Sequence, residues 1–440
     1  MTTNSKAGAG AGAAAGAGGA AGSDAEVASG LPDIHEAAGG IPVPPGGEGG
    51  DHPVRHYGDP AGEYEAATGA VAMVDRSLRG QFVLTGRQPG RMMSGVATGS
   101  IPEFSAGGRG RAPGSLVLTP KGRPIADLRI LRLEPGEAGA LLLDVSRAAV
   151  GPLLDHFRRS MPPLFARPRD RTAERGVLTL VGPEAAPLLA RILGVLEEEG
   201  LLDAAGGEGW APCPDAEALG GLPEGDEIAL QVGARRAAGA EGEAATEASP
   251  PATPDPGLRV VGQGDVAPMA LDLLGPRSLL VRIWEEARSA GAVPAGRAVW
   301  DTLRVEHGRP AFGVDVDDTI LPPEAGLQDR LIDHGKGCYT GQEVIVRIRD
   351  RGRVNRHLRG LLLGAAPAPP AGTELYQEGR DRAVGEVRSV VQSPRFGQGI
   401  ALAYVRREVE PGGQVQLGSP GGPVARVRAL SPEGWVPEED

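Results

Sequence analysis

Within eight residues, Lys336-Gly337-Cys338-Tyr339-Thr340-Gly341-Gln342-Glu343, the chain offers an amine, a thiol, a phenol and an amide. Gly337 and Gly341 permit tight turns or a close backbone approach. Lys336 lies two residues from Cys338, and a nearby cation favours thiolate over thiol. Tyr339 presents an aromatic face. A lone cysteine is otherwise an inert, buried small residue, and spacing alone leaves both readings of Cys338 open.

Two neighbouring segments also carry charge in a pattern. From Leu303 to Leu327 the chain reads L-R-V-E-H-G-R-P-A-F-G-V-D-V-D-D-T-I-L-P-P-E-A-G-L. A helix is expected to end at Gly308, with Arg304 and Glu306 in its last turn. Asp315, Asp317, Asp318 and Glu324 could ligate Mg²⁺ or Ca²⁺. In an acidic chain they more readily cap turns and solvate a loop, so no metal is expected. Downstream, Arg347, Arg349, Arg351 and Arg353 alternate, with Arg356 and Arg359 following. On a strand the first four would share a face. That stripe could meet phosphate or the carboxylates of a polyglutamylated cofactor, or it could be a solvated face paired with acids elsewhere.

The elements that position these residues read as an α+β body. Phe82–Gly86, Val177–Pro183 and Met269–Pro276 each look like a strand ending at a glycine and leading into a helix. After the second, Leu188, Leu189, Ile192, Leu193 and Leu196 fall at helical spacing, and Leu279, Leu280, Ile283, Trp284 and Ala287 do so after the third. Beyond Gly360, short apolar runs separated by Pro, Gly and Asp read as a small barrel or sandwich. Residues 1–50 are mostly Gly, Ala and Pro and are expected to be disordered. The Gly/Pro/Glu-rich stretch 206–256 reads as a flexible insertion.

Composition narrows the function. A net charge of −12 argues against a surface that grips nucleic acid as a whole. No run of about 18 apolar residues is present, and the N-terminal Ala/Gly tract lacks the apolar middle of a signal peptide, so a cytoplasmic protein is expected. Two cysteines, Cys213 and Cys338, supply neither a disulfide framework nor the four thiolates of a resident iron–sulfur cluster.

Four segments, in order, carry a family resemblance. K-G-C-Y-x-G-Q-E at Lys336–Glu343 resembles the signature of the YgfZ family, folate-binding relatives of the glycine cleavage T-protein (aminomethyltransferase). L-R-V-E-H-G-R-P-A-F-G-V-D followed by P-P-E-A-G-L is similar to the wider superfamily's pattern. L-T-P-K-G-R-P-I-A-D, Leu118–Asp127, resembles the segment ending in the T-protein's functional aspartate. Gly385–Val405 resembles the signature of its C-terminal barrel. The likeness runs from about Tyr57 to Arg407.

The resemblance implies a T-protein-like folate-binding core of three subdomains around a central channel over 51–352, and a C-terminal β-barrel over 353–440. It implies tetrahydrofolate or another reduced folate in the channel. Asp127 would face its pterin or one-carbon end, Arg304 and Glu306 would line the pocket, and Lys336 and Tyr339 would also contact the cofactor. Lys336 and Cys338, with Asp127, would carry the chemistry. The implied role is support of iron–sulfur cluster assembly or repair in client enzymes, including radical enzymes of tRNA modification, rather than classical enzyme catalysis. Its implied partners are iron–sulfur client or assembly proteins; separately, the arginine stripe Arg347–Arg359 is a candidate RNA contact, and a monomer that does not enter a membrane is expected. The alternatives are a tetrahydrofolate-dependent aminomethyltransferase and a non-catalytic RNA- or protein-binding module. Where the T-protein has Y-T-G-E-D-G-F-E, this chain has Ala267–Gly275 without the Tyr or the Glu, a difference that points away from aminomethyl transfer.

Overall fold

The computed structural model describes residues 30–44, 50–203, 207–233, 254–431 and 433–436. The Ala/Gly tract up to residue 29, and residues 234–253 of the expected insertion, lie outside the described residues.

The apolar runs become strands and the periodic runs become helices. Gly80–Thr85, Arg175–Val181 and Ala270–Pro276 are the three expected strands. Gly182 ends the second at φ 127°, a backbone region L side chains rarely adopt, and a Cβ there would lie 2.4 Å from Ala70 O. The helices Ala185–Glu198 and Arg277–Ser289 bury the apolar faces their spacing predicts. They form one core with the sheet beneath, in which Trp284 is 1% exposed. Truncating such an aromatic side chain costs about 3–5 kcal/mol. The helix after the first strand is short, Pro89–Ser94.

Among the described residues these units build two sheets. The larger has eight strands. Its path runs Leu202–Asp203, Asp226–Val232, Leu258–Gln263, Ala270–Pro276, Arg175–Val181, Ala72–Asp75, Val293–Pro294, and Arg109–Arg111 pairs onto Asp226–Val232. The smaller runs Gly114–Leu118, Pro124–Arg132, Leu141–Val145, Gly80–Thr85, Arg167–Asp170. The tail of the chain closes into a six-stranded barrel that begins at Arg356–Gly364 and pairs it with both Gln398–Arg406 and Val424–Arg428. The α+β class and the terminal barrel follow the sequence expectation. No helix among the described residues is long and apolar enough to cross a membrane.

Three local expectations are corrected. The supposedly flexible stretch 206–256 contains the helix Ala216–Gly220 and the strand Asp226–Val232, whose Ile228, Ala229 and Leu230 are core residues. Its Gly/Pro/Glu content masked three alternating apolar positions, Ile228, Leu230 and Val232. The end of the expected disordered tail folds as well, with a helix at Gly30–Ala37. His35 Nε2 lies 2.7 Å from Asp75 Oδ2 and its Nδ1 lies 2.8 Å from the Tyr57 hydroxyl, which fastens this helix to the larger sheet. Finally, three of the four alternating arginines, Arg347, Arg349 and Arg351, lie on the helix Gln342–Arg351 and Arg353 follows its end, so the four do not form one strand stripe. Ile345 is buried, with Val344 and Ile348 half-buried beside it, and this helical apolar face overrides the period of two in the arginines.

Candidate functional site

A cavity of about 150 Å³ lies between the two sheets and the segment 297–331. The strand Pro124–Arg132 alternates buried and half-buried residues, which turns Ala126, Leu128 and Ile130 into the small sheet's core and Asp127 and Arg129 toward the cavity. Ser146 Oγ donates to Asp127 Oδ2 at 2.8 Å. The other oxygen, Oδ1, is out of solvent and has no hydrogen-bond partner. Burial pushes the Asp127 carboxyl up to about 6, Arg79 opposes that rise, and Asp51 adds to it. A cavity carboxyl that changes protonation near neutral pH, with one oxygen uncommitted, can hold or release a proton for a bound ligand.

A rigid charged frame holds Asp127 in place. Arg79 donates to Asp144 Oδ1 at 2.9 Å, to Asp51 Oδ2 at 2.6 Å and to Ser146 Oγ at 3.1 Å. Arg129 joins Asp144 at 2.7 Å to Asp272 at 2.7 Å, and Arg76 reaches Asp272 at 3.2 Å. Asp272 also accepts from Thr179 Oγ1 at 2.5 Å and Gln263 Nε2 at 3.0 Å. Both Asp144 and Asp272 are fully buried. Burial works against the charge on Asp144, but Arg79 and Arg129 hold its carboxyl well below the usual range. Sequence reasoning missed this frame. The signal was there: Asp144 in L-L-L-D-V and Asp272 in A-L-D-L-L are single acids inside otherwise apolar strands, and a buried acid requires a partner.

His52 is the second uncommitted group on the cavity wall. It is 5% exposed, tilts against Trp300 with ring centroids 5.4 Å apart, and neither of its nitrogens has a hydrogen-bond partner. Burial pulls it down to about 4 and Arg76 adds to the effect, so at neutral pH it offers one donor and one acceptor. Arg76 covers the Trp300 ring at 4.1 Å. Together, Asp127 Oδ1, His52 and the Trp300 wall suit a flat heterocycle bearing adjacent donors and acceptors.

The sequence-nominated residues divide. Asp127 and Arg304 line the cavity, whereas Glu306, Lys336, Cys338 and Tyr339 do not. Arg304 is fully engaged: Asp301 at 2.6 Å, Asp315 at 2.7 Å, Arg309 O at 3.2 Å and Ser389 Oγ at 2.9 Å. It ties the helix Arg297–Glu306 to the barrel. Glu306 points toward the barrel side and accepts from Tyr64 Oη at 2.8 Å and from Ser393 Oγ. Tyr339 is 6% exposed and belongs to the core between the helix Gln342–Arg351 and the barrel.

Lys336 corrects the expected cation–thiol pair. Its Nζ donates to the carbonyls of Ser94, Ala97 and Gly99 at 3.0, 2.6 and 3.0 Å, which uses all three of its protons. Its charge is committed to the 94–99 loop, while Cys338 stands exposed. Three of the four acids weighed as metal ligands are engaged, Asp315 with Arg304, Asp317 with Arg388 at 3.1 Å and Glu324 with Arg356 at 3.2 Å, and the fourth, Asp318, is exposed. Among the described residues, no three His, Cys, Asp or Glu are gathered as a metal site.

Known proteins share this architecture. Residues 356–432 match the glycine cleavage T-protein C-terminal barrel domain. An aminomethyltransferase of Corynebacterium jeikeium is 26% identical over 373 residues, 84% of this chain and 87% of the relative. One from Rubrobacter xylanophilus is 28% identical over 369 residues, 84% of this chain and 85% of the relative. The glycine cleavage system aminomethyltransferase T from Bartonella henselae superposes with a TM-score of 0.70 at 16% identity, covering 93% of this chain and 99% of that one. The fold is therefore T-protein-like, and its terminal barrel matches the T-protein's C-terminal barrel domain. Beyond this, the chain is similar to aminomethyltransferases along most of its length.

Proposed function

We propose that this chain binds a reduced folate, tetrahydrofolate, in the central cavity and handles a one-carbon unit there as aminomethyltransferases do. The observation that carries the reading is Asp127, whose free Oδ1 and raised proton affinity sit on the cavity wall beside the unpartnered His52. Support comes from relatives named aminomethyltransferase that align along 84% of the chain. Bound tetrahydrofolate would supply the nitrogens that accept the one-carbon unit. Asp127 orients that end of the ligand and exchanges a proton with it, His52 hydrogen-bonds the heterocycle, and the Arg79–Asp144–Arg129 frame keeps Asp127 from moving. Ala267–Gly275 lacks the T-protein's Tyr and Glu, and its own acid, Asp272, is buried behind the cavity wall, where it anchors Arg76 and Arg129. Two measurements test the proposal: tetrahydrofolate titration of the full chain, and product formation from an aminomethylated lipoyl carrier. Binding and turnover that both fall in Asp127→Asn support it. No methylenetetrahydrofolate at high enzyme concentration rejects the transferase reading.

A second reading rests on a separate observation, the exposed Cys338 on a loop pinned by Lys336. Here the folate-loaded protein serves iron–sulfur client enzymes, and Cys338 contacts them from the surface. Deleting the gene and restoring it with wild type or Cys338→Ala, followed by iron–sulfur enzyme assays, separates the two. Equal rescue removes Cys338 from the mechanism.

A further inference from the structure

Two residues of the cavity wall, Asp51 and His52, come from the N-terminal part of the chain, just ahead of the strand Val54–His56. His52 is uncommitted, whereas Asp51 is engaged through both of its oxygens. Its Oδ2 accepts from Arg79 Nη1 at 2.6 Å and lies 3.6 Å from Arg76 Nη2. Its Oδ1 accepts from Arg147 N at 2.9 Å, at the first position of the helix Arg147–Ser160. Burial works against the charge on Asp51, but Arg79 and Arg76 hold its carboxyl below the usual range, so it stays ionised at neutral pH.

Arg79 Nη1 carries two protons, and Asp51 and Ser146 Oγ accept them. Its Nε goes to Asp144 Oδ1 at 2.9 Å. Asp127 therefore receives a neutral hydroxyl, Ser146, in place of a guanidinium, although that same hydroxyl joins it to Arg79. With the Asp51 carboxylate gone, one Nη1 proton loses its acceptor. Asp127 Oδ1 is the buried carboxylate oxygen of this wall that has no hydrogen-bond partner.

We propose that Asp51 is a positioning residue: by engaging Arg79 it keeps the guanidinium off Asp127 and leaves Oδ1 free for the ligand. This inference rests on the folate reading above, in which Asp127 exchanges a proton with the bound heterocycle. The charged groups facing Asp127 are Arg79, Asp51, Asp265 of the cavity wall and Arg129 two residues along its own strand, with Ser146 and the neutral His52 beside them. Arg79 lowers the proton affinity of Asp127, and Asp51 and Asp265 raise it. Removing the Asp51 charge deletes one raising group and frees the lowering one. Both effects make Asp127 ionise at a lower pH.

The test is a double-mutant cycle read by thermal melts of the ligand-free full chain, between about pH 4 and 7.5. In the wild-type background Asp127→Asn raises the melting temperature at the upper end of that range and not at the lower. In the Asp51→Asn background this pH-dependent gain falls to about half, as a fall of about one unit in the Asp127 titration requires. An equal gain in both backgrounds overturns the proposal. The pH profile of tetrahydrofolate binding gives a second readout, with a midpoint at about 6 in the wild type and about one unit lower in Asp51→Asn. Weaker binding with an unmoved midpoint makes Asp51 merely structural and also overturns it.

Where Asp51→Asn does not fold, Arg147→Pro decides. Proline suits the first helical position, and Ser146 before it already has φ −55° and ψ 140°, the extended backbone that a residue ahead of proline adopts. The variant removes the N–H that fixes Asp51 Oδ1 and leaves every charge of the cavity wall in place. Its binding midpoint should fall by about half a unit, and an unmoved midpoint overturns the proposal. Failure of the wild type to bind tetrahydrofolate refutes the folate reading, and the ligand-free cycle then decides alone whether Asp51 governs Asp127.

Discussion

Ser146 donates to Asp127 Oδ2 at 2.8 Å while accepting from Arg79 at 3.1 Å, so the hydroxyl relays the position of a buried arginine to a cavity carboxyl. The direction of that hydroxyl is fixed by its neighbours. Arg79 has only protons to give, so Ser146 must turn its own proton toward Asp127, and Oδ1 is the oxygen left for a ligand.

The first prediction concerns Asp127→Asn. The Asp127 carboxyl rises from its ordinary value to about 6 on folding. The folded state therefore binds this proton more tightly than the unfolded chain, and stability falls as pH rises from about 4 through 6. Replacing the carboxyl by an amide removes that penalty. At pH 7.5 the variant is expected to unfold at a higher temperature than wild type, by up to about 3 kcal/mol in stability, with the difference vanishing near pH 4. Folate-dependent activity moves the other way and drops. A variant that is less stable at pH 7.5 than wild type would contradict the buried, uncommitted carboxyl.

His52→Phe separates binding from folding. Phenylalanine keeps the contact with Trp300 and removes two unpartnered polar atoms. Thermal stability should hold or rise by about 1 kcal/mol, because a buried unsatisfied group is costly. Tetrahydrofolate affinity should fall about tenfold, the worth of one hydrogen bond in a closed cavity. Unchanged affinity in calorimetry would remove His52 from the ligand wall.

Much of this arrangement was legible in the sequence. The strand–glycine–helix units announced themselves because both halves of each carry their own period, as in Val177–Val181 followed by Leu188–Leu196. Asp127 was reachable through the Leu118–Asp127 motif, and the barrel through its short apolar runs. Long-range partnership was not legible. Lys336 lies next to Cys338 in the chain, yet its ammonium bonds to residues about 240 positions away in sequence. Glu306 belongs to the same motif as Arg304, and both reach the barrel strand Gly385–Ser393, yet only Arg304 also lines the cavity. The arginine alternation at 347–353 failed for a related reason, since exposed charges carry no periodic constraint while Ile345 and Ile348 do.

Lys336→Met tests whether this lysine is structural. The methionine keeps the stem and loses three donors to Ser94, Ala97 and Gly99. Burial pulls the amine down to about 8, so it remains charged at neutral pH and the carbonyls lose charge-assisted bonds. A destabilisation of about 1–3 kcal/mol is expected. The amides bridging the two loops, Asp333 N to Thr98 O and Thr340 N to Gly95 O, should exchange faster with deuterium. Unaltered protection at these amides would return Lys336 to a chemical role.

Arg304→Ala should be the most damaging of these substitutions. Arg304 is 3% exposed, and Asp315, at 0%, relies on it at 2.7 Å and on bonds from Ala311 N at 2.8 Å and Ser389 Oγ at 2.6 Å. Burial disfavours the guanidinium charge, and Asp301 and Asp315 more than reverse that, holding it above its ordinary value. Deleting one member of a buried pair leaves the other charge uncompensated, at about 3–5 kcal/mol. Because Arg304 Nη2 also holds Ser389 of the barrel at 2.9 Å, the loss should appear first as barrel loosening. Deuterium exchange should rise across Gly385–Ser393 before the larger sheet melts. Arg304→Lys supplies one point charge in place of a fork serving four acceptors, and is expected to recover less than half of the lost stability. A uniform loss of protection across both sheets and the barrel would show that Arg304 supports the core as a whole rather than the junction it spans.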